Sequence, residues 1–296
     1  MYQIITDGSC DLEPEIMQEQ NILVVPFYVS IDGETYKKEI EEMPIREFYQ
    51  FMVDHPDQFP KSSLPCVQDY VNAFEPLAKE GKDILCICIT TKFSGSYNSA
   101  MNAKELVLED YPDVKIEVVD ATVNTVLQGL LVLEAARMQQ EGKSFEEVLA
   151  RVEEIKATGR IFFTVGSMDY LIHGGRVGKL AGIAAGKLGI KPLILLKEGE
   201  IFPNGLSRRR DKSKEKVIAQ CIQYMKEQGY TTKDCSMTIG YGYDIEEGWA
   251  LQQQLADALK QAFPGEEPEV QVHQIGAAIS VHTGPYAIGI GIIQKA

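Results

Sequence analysis

The stretch Ile84–Asn102, ILCICITTKFSGSYNSAMN, decides how the rest of the chain is read. Ile84 to Ile89 is a short unbroken apolar run, the mark of a strand covered on both faces. Thr90, Thr91, Ser94, Gly95 and Ser96 follow as a polar turn of small residues. Tyr97, Ala100, Met101, Val107 and Leu108 then fall on one face of a helix. A strand, a tight turn and a helix start are the repeating unit of a parallel α/β sheet. Hydroxyls and free N–H groups at such a helix start make an anion site. Lys92 is the only basic residue close by, so the turn suits a weakly charged oxygen group such as a carboxyl rather than a triphosphate.

Working outward, Gln3–Thr6 is a short strand that ends in the polar turn Thr6–Asp11. Asp11 is placed to cap a short helix. Asp7 and Asp11 read as turn and cap residues rather than as a metal or acid/base pair. Ile22–Ser30 reads as a second strand, Asp32–Glu34 as a hairpin turn, and Met43–Val53 as a helix with Pro44 near its first turn. Pro60–Pro65 is a loop stiffened by its two prolines, with Ser62 and Ser63 as its hydroxyls. Val67, Tyr70, Val71, Phe74, Leu77 and Ala78 share a helical face, and Pro76 is expected to bend or shorten that helix. A strand at 115–120, a helix at 124–140 so apolar that it must be covered, and the capping box Ser144–Glu147 continue the alternation.

Near Gly159 the pattern changes. Strands are expected at 161–165, 192–196, 200–202, 236–242, 269–275 and 287–293. Between them lie a helical turn at 168–172, a glycine corner His173–Arg176, a glycine- and alanine-rich helix at 178–189, and a long helix opened by Ser207-Arg208-Arg209-Arg210. The expected fold class is α/β in two domains. Residues 1–158 form a mostly parallel α/β/α sandwich, and residues 159–296 a smaller α/β layer with a mixed sheet.

The totals narrow the function. A chain of 296 residues with 45% hydrophobic and 24% charged residues is ordinary for a two-domain globular protein. A net charge of −14 argues against nucleic acid as a partner. No window nears the ~18–20 apolar residues of a membrane span, so no stable membrane insertion is expected. The N-terminus shows no signal-peptide pattern. Six cysteines without C-x-x-C or zinc spacing read as free thiols in a reducing cytoplasm, with no metal. Gly178–Lys187 lacks the P-loop spacing, Gly284–Gly291 lacks G-x-G-x-x-G, and Ser94 lies in no G-x-S-x-G elbow. No catalytic residue and no cofactor are therefore expected.

Five segments, in order along nearly the whole chain, resemble the DegV family of bacterial fatty-acid-binding proteins. Ile5–Leu12 resembles its opening T-D-S-x-x-D-L. Lys61–Pro65 resembles its K-T-S-Q-P loop, with Ser62 at the usual Thr. Phe93–Ala100 resembles L-S-G-T-Y-x-S-A. Gly174–Val177 with Gly189–Leu193 resembles G-G-R-I…I-K-P-I, and His282–Pro285 resembles H-x-G-P. Each motif is weak alone; five in register are specific.

The resemblance implies a two-domain α/β protein that holds a long-chain fatty acid such as palmitate between its domains. It implies that Ser62 and Ser94, with Ser63 and Gly95 beside them, hold the carboxyl. It further implies that the acid is presented to a separate fatty acid kinase that makes acyl phosphate, with Arg176, Arg208 and His282 around the exposed end. The protein itself would then be a carrier and not an enzyme, and a monomer is the simplest state. Tyr286 stands where the family usually has Gly and would narrow the mouth or reshape docking. The residues alone leave alternatives open. Arg176 also fits a surface ion pair, Arg208–Arg210 a solvated helix start, and His282 a buried structural histidine. The apolar helix 124–140 and the small-residue helix 178–189 are candidate tunnel walls. Two other functions compete: a small-molecule kinase or phosphotransferase related to the dihydroxyacetone-kinase fold, and a lipid-sensing regulatory module.

Overall fold

The computed structural model describes residues 2–184 and 190–296. The first half runs β1 (Tyr2–Asp7), a 3-10 turn (Gly8–Cys10), α1 (Pro14–Glu19), β2 (Ile22–Val25), β3 (Tyr28–Ser30), β4 (Lys37–Lys38), α2 (Ile45–Asp54) and β5 (Lys61–Ser63). It continues through α3 (Val67–Lys79), β6 (Asp83–Cys88), α4 (Ser96–Asp110), β7 (Ile116–Asp120), α5 (Thr125–Gln140) and α6 (Phe145–Lys156). The second half holds β8 (Arg160–Thr164), α7 (Asp169–His173), a 3-10 turn (Gly178–Leu180), α8 (Ala181–Ala184), β9 (Lys191–Lys197) and β10 (Glu200–Ser207). It ends with α9 (Arg210–Gln228), β11 (Cys235–Tyr241), α10 (Ile245–Ala262), β12 (Val270–Gln274), α11 (Ala277–Thr283) and β13 (Ile288–Gln294).

The unbroken apolar runs of β1 and β6 have the cause expected of them. They form a parallel sheet of order β2-β1-β6-β7, covered on both faces. Ile5, Ile84, Cys86 and Cys88 pack against Tyr70, Phe74, Ala100 and Val107 of α3 and α4. Ile4, Leu85 and Ile87 point the other way, into the core that holds α5. The second sheet has the order β10-β9-β8-β13-β11-β12 and is antiparallel except for β11–β12. One of its faces is sealed by α9 and α10 through Met237, Ile239, Ile290, Ile292, Leu251 and Leu255. Its other face meets α5, which packs against β1, β11 and β13 and so lies between the two sheets. That position is why the helix is apolar all round: Val126, Leu127, Leu130, Leu131, Val132 and Ala135 are all buried. This is a mixed α/β fold with a parallel sheet and a separate mixed sheet.

Several local expectations are corrected. The expected strand Ile22–Ser30 is two strands in different sheets, because Pro26 has no N–H for a ladder and fixes its own φ. The expected loop around Ser62 is strand β5, which pairs with β3 in a small sheet of order β4-β3-β5 and sets Ser62 opposite Val29. Pro76 neither ends nor shortens α3, which runs on to Lys79. Both Pro76 and Asn72, one turn earlier, face solvent, so water can satisfy the carbonyl that the proline frees. Asp11 does not open a helix: Glu13 is the N-cap of α1, and Asp11 instead closes the 3-10 turn Gly8–Cys10. Two helices were not anticipated at all. α10 follows the N-cap Asp244 with Leu251, Leu255 and Leu259 on its buried face, and α11 carries His282. Of the helix expected at 178–189, the 3-10 turn and α8 cover 178–184, and 185–189 lie outside the described residues.

Candidate functional site

A cavity of ≈ 260 Å³ lies where the loops after β6 and β7, strand β5 and helix α11 face the inner side of the six-stranded sheet. Most of its wall is apolar, including Phe27, Ile161, Leu196, Ile201, Ile275 and Ile279. Against this wall stand a few polar groups: Ser62, Ser63, Ser94, Asn124, Thr125, Arg176, His282 and Thr283. Arg176 is the only cation and no carboxylate lines the cavity among the described residues. Such a chamber suits a long apolar molecule with one small acidic or oxygen-bearing end.

Each polar group has a local reason to be there. Ser62 sits on β5 with its Oγ 3.4 Å from His282 Nε2 on α11, so two elements 220 residues apart meet at this point. Ser94 lies in the turn before α4. Its Oγ accepts the Ser96 N–H at 3.2 Å, which leaves the hydroxyl proton free to be donated. Gly95 is the N-cap of α4 and is not part of the wall; a Cβ there would press on Leu64 at 3.3 Å, so its smallness lets the segment after β5 approach this turn. Arg176 donates to the Phe93 carbonyl at 2.9 Å and to the Gly174 carbonyl at 2.7 Å. It thus staples the Ser94 turn to the glycine corner and brings a positive charge to the wall. Burial lowers its pKa.

His282 is held in place by a close approach. Its Nδ1 lies against Gly174, where any side chain would collide with the ring. Burial first, and the Arg176 charge second, push its pKa down to about 4. At neutral pH it is therefore an uncharged hydrogen-bonding partner for Ser62 and not a second cation. Arg208 is exposed at the start of α9 and does not line this cavity. Arg210 is tied by two hydrogen bonds to Glu247, at 2.7 and 2.5 Å. Tyr286 packs on Gly166 and lines a neighbouring, more open cavity of ≈ 550 Å³.

Behind the site lies a group of buried acids whose role the sequence did not disclose. Asp7 is not a turn residue. It closes β1 fully buried, and its carboxylate accepts from Ser9 Oγ (2.6 Å), Ser96 Oγ (2.7 Å), Gln128 Nε2 (2.9 Å) and Ile89 N (3.0 Å). Two of these donors, Ile89 and Ser96, bracket the turn that carries Ser94. Asp11, with φ 52, turns its carboxylate inward to accept from Thr125 Oγ1 at 2.5 Å. Glu39, 2% exposed, accepts from Ala278 N at 3.1 Å in the first turn of α11. Burial raises the pKa of all three carboxyls, that of Glu39 to about 7. The one available signal was the opening T-D-…-D segment itself, whose acids follow a buried strand.

Comparison with known proteins places this architecture. The family described as "Uncharacterised protein, DegV family" matches residues 1–295. A DegV domain-containing protein of Caldanaerobacter subterraneus is 31% identical over 99% of this chain and 98% of its own. One from Clostridium perfringens is 29% identical over 99% of both. Among solved structures, a stearic acid-binding protein from Eubacterium ventriosum is 45% identical, with TM-score 0.92 over 100% of this chain and 99% of its own. A fatty-acid-binding DegV family protein from Thermus thermophilus is 27% identical, with TM-score 0.83 over 99% of both. The mixed α/β fold, with its parallel sheet and separate mixed sheet, matches these structural neighbours, and this chain belongs to the DegV family.

Among the described residues, no group of three or more His, Cys, Asp or Glu could hold a metal ion. No helix among them is long and apolar enough to cross a membrane.

Proposed function

We propose that this protein binds a long-chain fatty acid such as palmitate in the chamber and presents its carboxyl to a separate kinase for acyl-phosphate formation. The observation that carries the reading is the convergence of Ser62, Ser94, Arg176 and His282 on one apolar cavity. Burying a methylene is worth ~0.8 kcal/mol, so a long tail supplies ample affinity even after ordering and association remove several kcal/mol. An unpaired buried carboxylate would cancel that gain. Donation from the Ser94 and Ser62 hydroxyls, beside the fixed charge of Arg176, supports the head in its ionised form. The stearic acid-binding relative supports the same ligand class. In this reading the two sheets belong to two domains, 1–158 and 159–296, and the protein is a cytoplasmic monomer that carries substrate without turning it over.

The division of labour is testable. Ser94→Ala is expected to weaken palmitate binding about tenfold, the worth of one hydrogen bond to a charged group. Arg208→Ala, outside the chamber, is expected to leave binding unchanged and to slow acyl-phosphate formation by a partner kinase. Titration with labelled palmitate and a coupled phosphorylation assay separate the two. Equal loss of binding in both variants would contradict these assignments, and ATP turnover by the protein alone would favour an enzyme of its own.

A further inference from the structure

The chamber has a direction. Phe93, Arg176 and Ile201 are shared with an adjoining open cavity lined also by Lys92 and Lys179, which marks the outer end. From there the wall steps across neighbouring strands of the six-stranded sheet: Ile201 on β10, Leu196 on β9, Ile161 on β8, Gly289 on β13 and Gly240 on β11. Four strand spacings of about 4.8 Å make the path roughly 19 Å long. Helix α11 lines the same chamber, with His282 beside the Arg176 charge of the outer end and Ala278 one turn earlier in the helix.

At the inner end the sheet lacks side chains. Gly240 and Gly289 are directly paired across β11 and β13, and both line the chamber. A Cβ on Gly240 would meet Val126 Cγ2 at 3.0 Å and Ile275 Cγ1 at 3.4 Å, two residues that close the same end. A methyl group at this place has no free room, so Val126 or Ile275 must give way, and either one displaced into the chamber shortens it.

We infer that Gly240 and Val126, packed against each other at the inner end of the chamber, set the longest acyl chain the protein accepts. The inference rests on the fatty-acid reading above and adds which residues measure the chain. One methylene more or less at a closed apolar end is worth tenfold or more in affinity. Gly240→Ala should weaken stearate binding on the order of tenfold relative to laurate. Val126→Ala, which removes two methyl groups from the inner end, should shift the preference towards longer chains.

The test is a competition among laurate, palmitate and stearate for the purified protein and each variant, read by mass spectrometry of the extracted lipid. Shifts of opposite sign in the two variants support the assignment. The same ranking as wild type in both, whatever the overall affinity, overturns it. If Gly240→Ala fails to fold, the shift expected of Val126→Ala still decides the question. A wild-type protein that takes up none of the three acids would instead sink the fatty-acid reading, so the two failures are distinguishable.

Discussion

Asp7→Ala is expected to cost about 3 kcal/mol of folding stability or more. The carboxylate is the sole buried acceptor shared by the Ser9 and Ser96 hydroxyls, the Gln128 amide and the Ile89 N–H. Alanine removes four hydrogen bonds at once and leaves the Ile89 N–H without an acceptor, while Ser9 keeps Gln128 Oε1, Ser96 the Tyr70 hydroxyl and Gln128 Thr6 Oγ1 as other partners; an unsatisfied buried donor costs about 1–3 kcal/mol. Against a total stability of about 5–15 kcal/mol, that is a large fraction. Because Ile89 and Ser96 flank the turn that holds Ser94, ligand affinity should fall with stability. Urea unfolding of the wild type and variant measures the first effect. A loss below about 1 kcal/mol would mean that the network rearranges without Asp7 and does not hold the turn.

The second large effect is on pH. Burial raises the Glu39 carboxyl from its ordinary 4.5 to about 7, helped by the nearby Asp7 charge and opposed by the Ala278 and Phe27 N–H groups. A raised acid pKa means that the folded state holds a proton the unfolded state has released. The stability it contributes is full below pH 4.5 and is lost as pH rises to 7, about 3 kcal/mol in all. Asp7 and Asp11 are raised too and act with the same sign. Glu147 and Glu200 at the surface are lowered instead, so their contribution is lost only at acid pH and does not mask this window. His282, lowered to about 4, acts with the opposite sign as pH falls below 6.5, so the Glu39 share is read by comparing two proteins. From pH 8 to pH 5 the wild type should gain more resistance to urea, or lose less, than Glu39→Gln, which mimics the protonated acid. The same pH response in both proteins would contradict this account of Glu39.

How much of this was legible depends on how far each partner lies along the chain. β1, β6 and the helix at 124–140 are covered on all sides, and their apolar runs say so locally. The capping box at Ser144 is equally local, and its reciprocal bonds form as the spacing predicts. Strand β5 has three residues and is defined only by its pairing with β3 across α2, so no periodicity betrays it. Asp7 and Asp11 read locally as turn and cap residues, and Glu39 does not stand out at all, because their partners are remote: Gln128 lies 121 residues from Asp7 and Ala278 239 residues from Glu39. Ser62 and Ser94 stand out through short motifs. Their meeting with His282 in one chamber depends on β5, α4 and α11 being packed together, which no short segment encodes.

The central claim is that the chamber holds an acyl chain by its acid end. The most direct measurement is mass spectrometry of the lipid released when freshly purified protein is denatured. A long-chain fatty acid in near-stoichiometric amount, lost or sharply reduced in Ser94→Ala, is the predicted result. Protein that yields no fatty acid and takes up no labelled palmitate would contradict it.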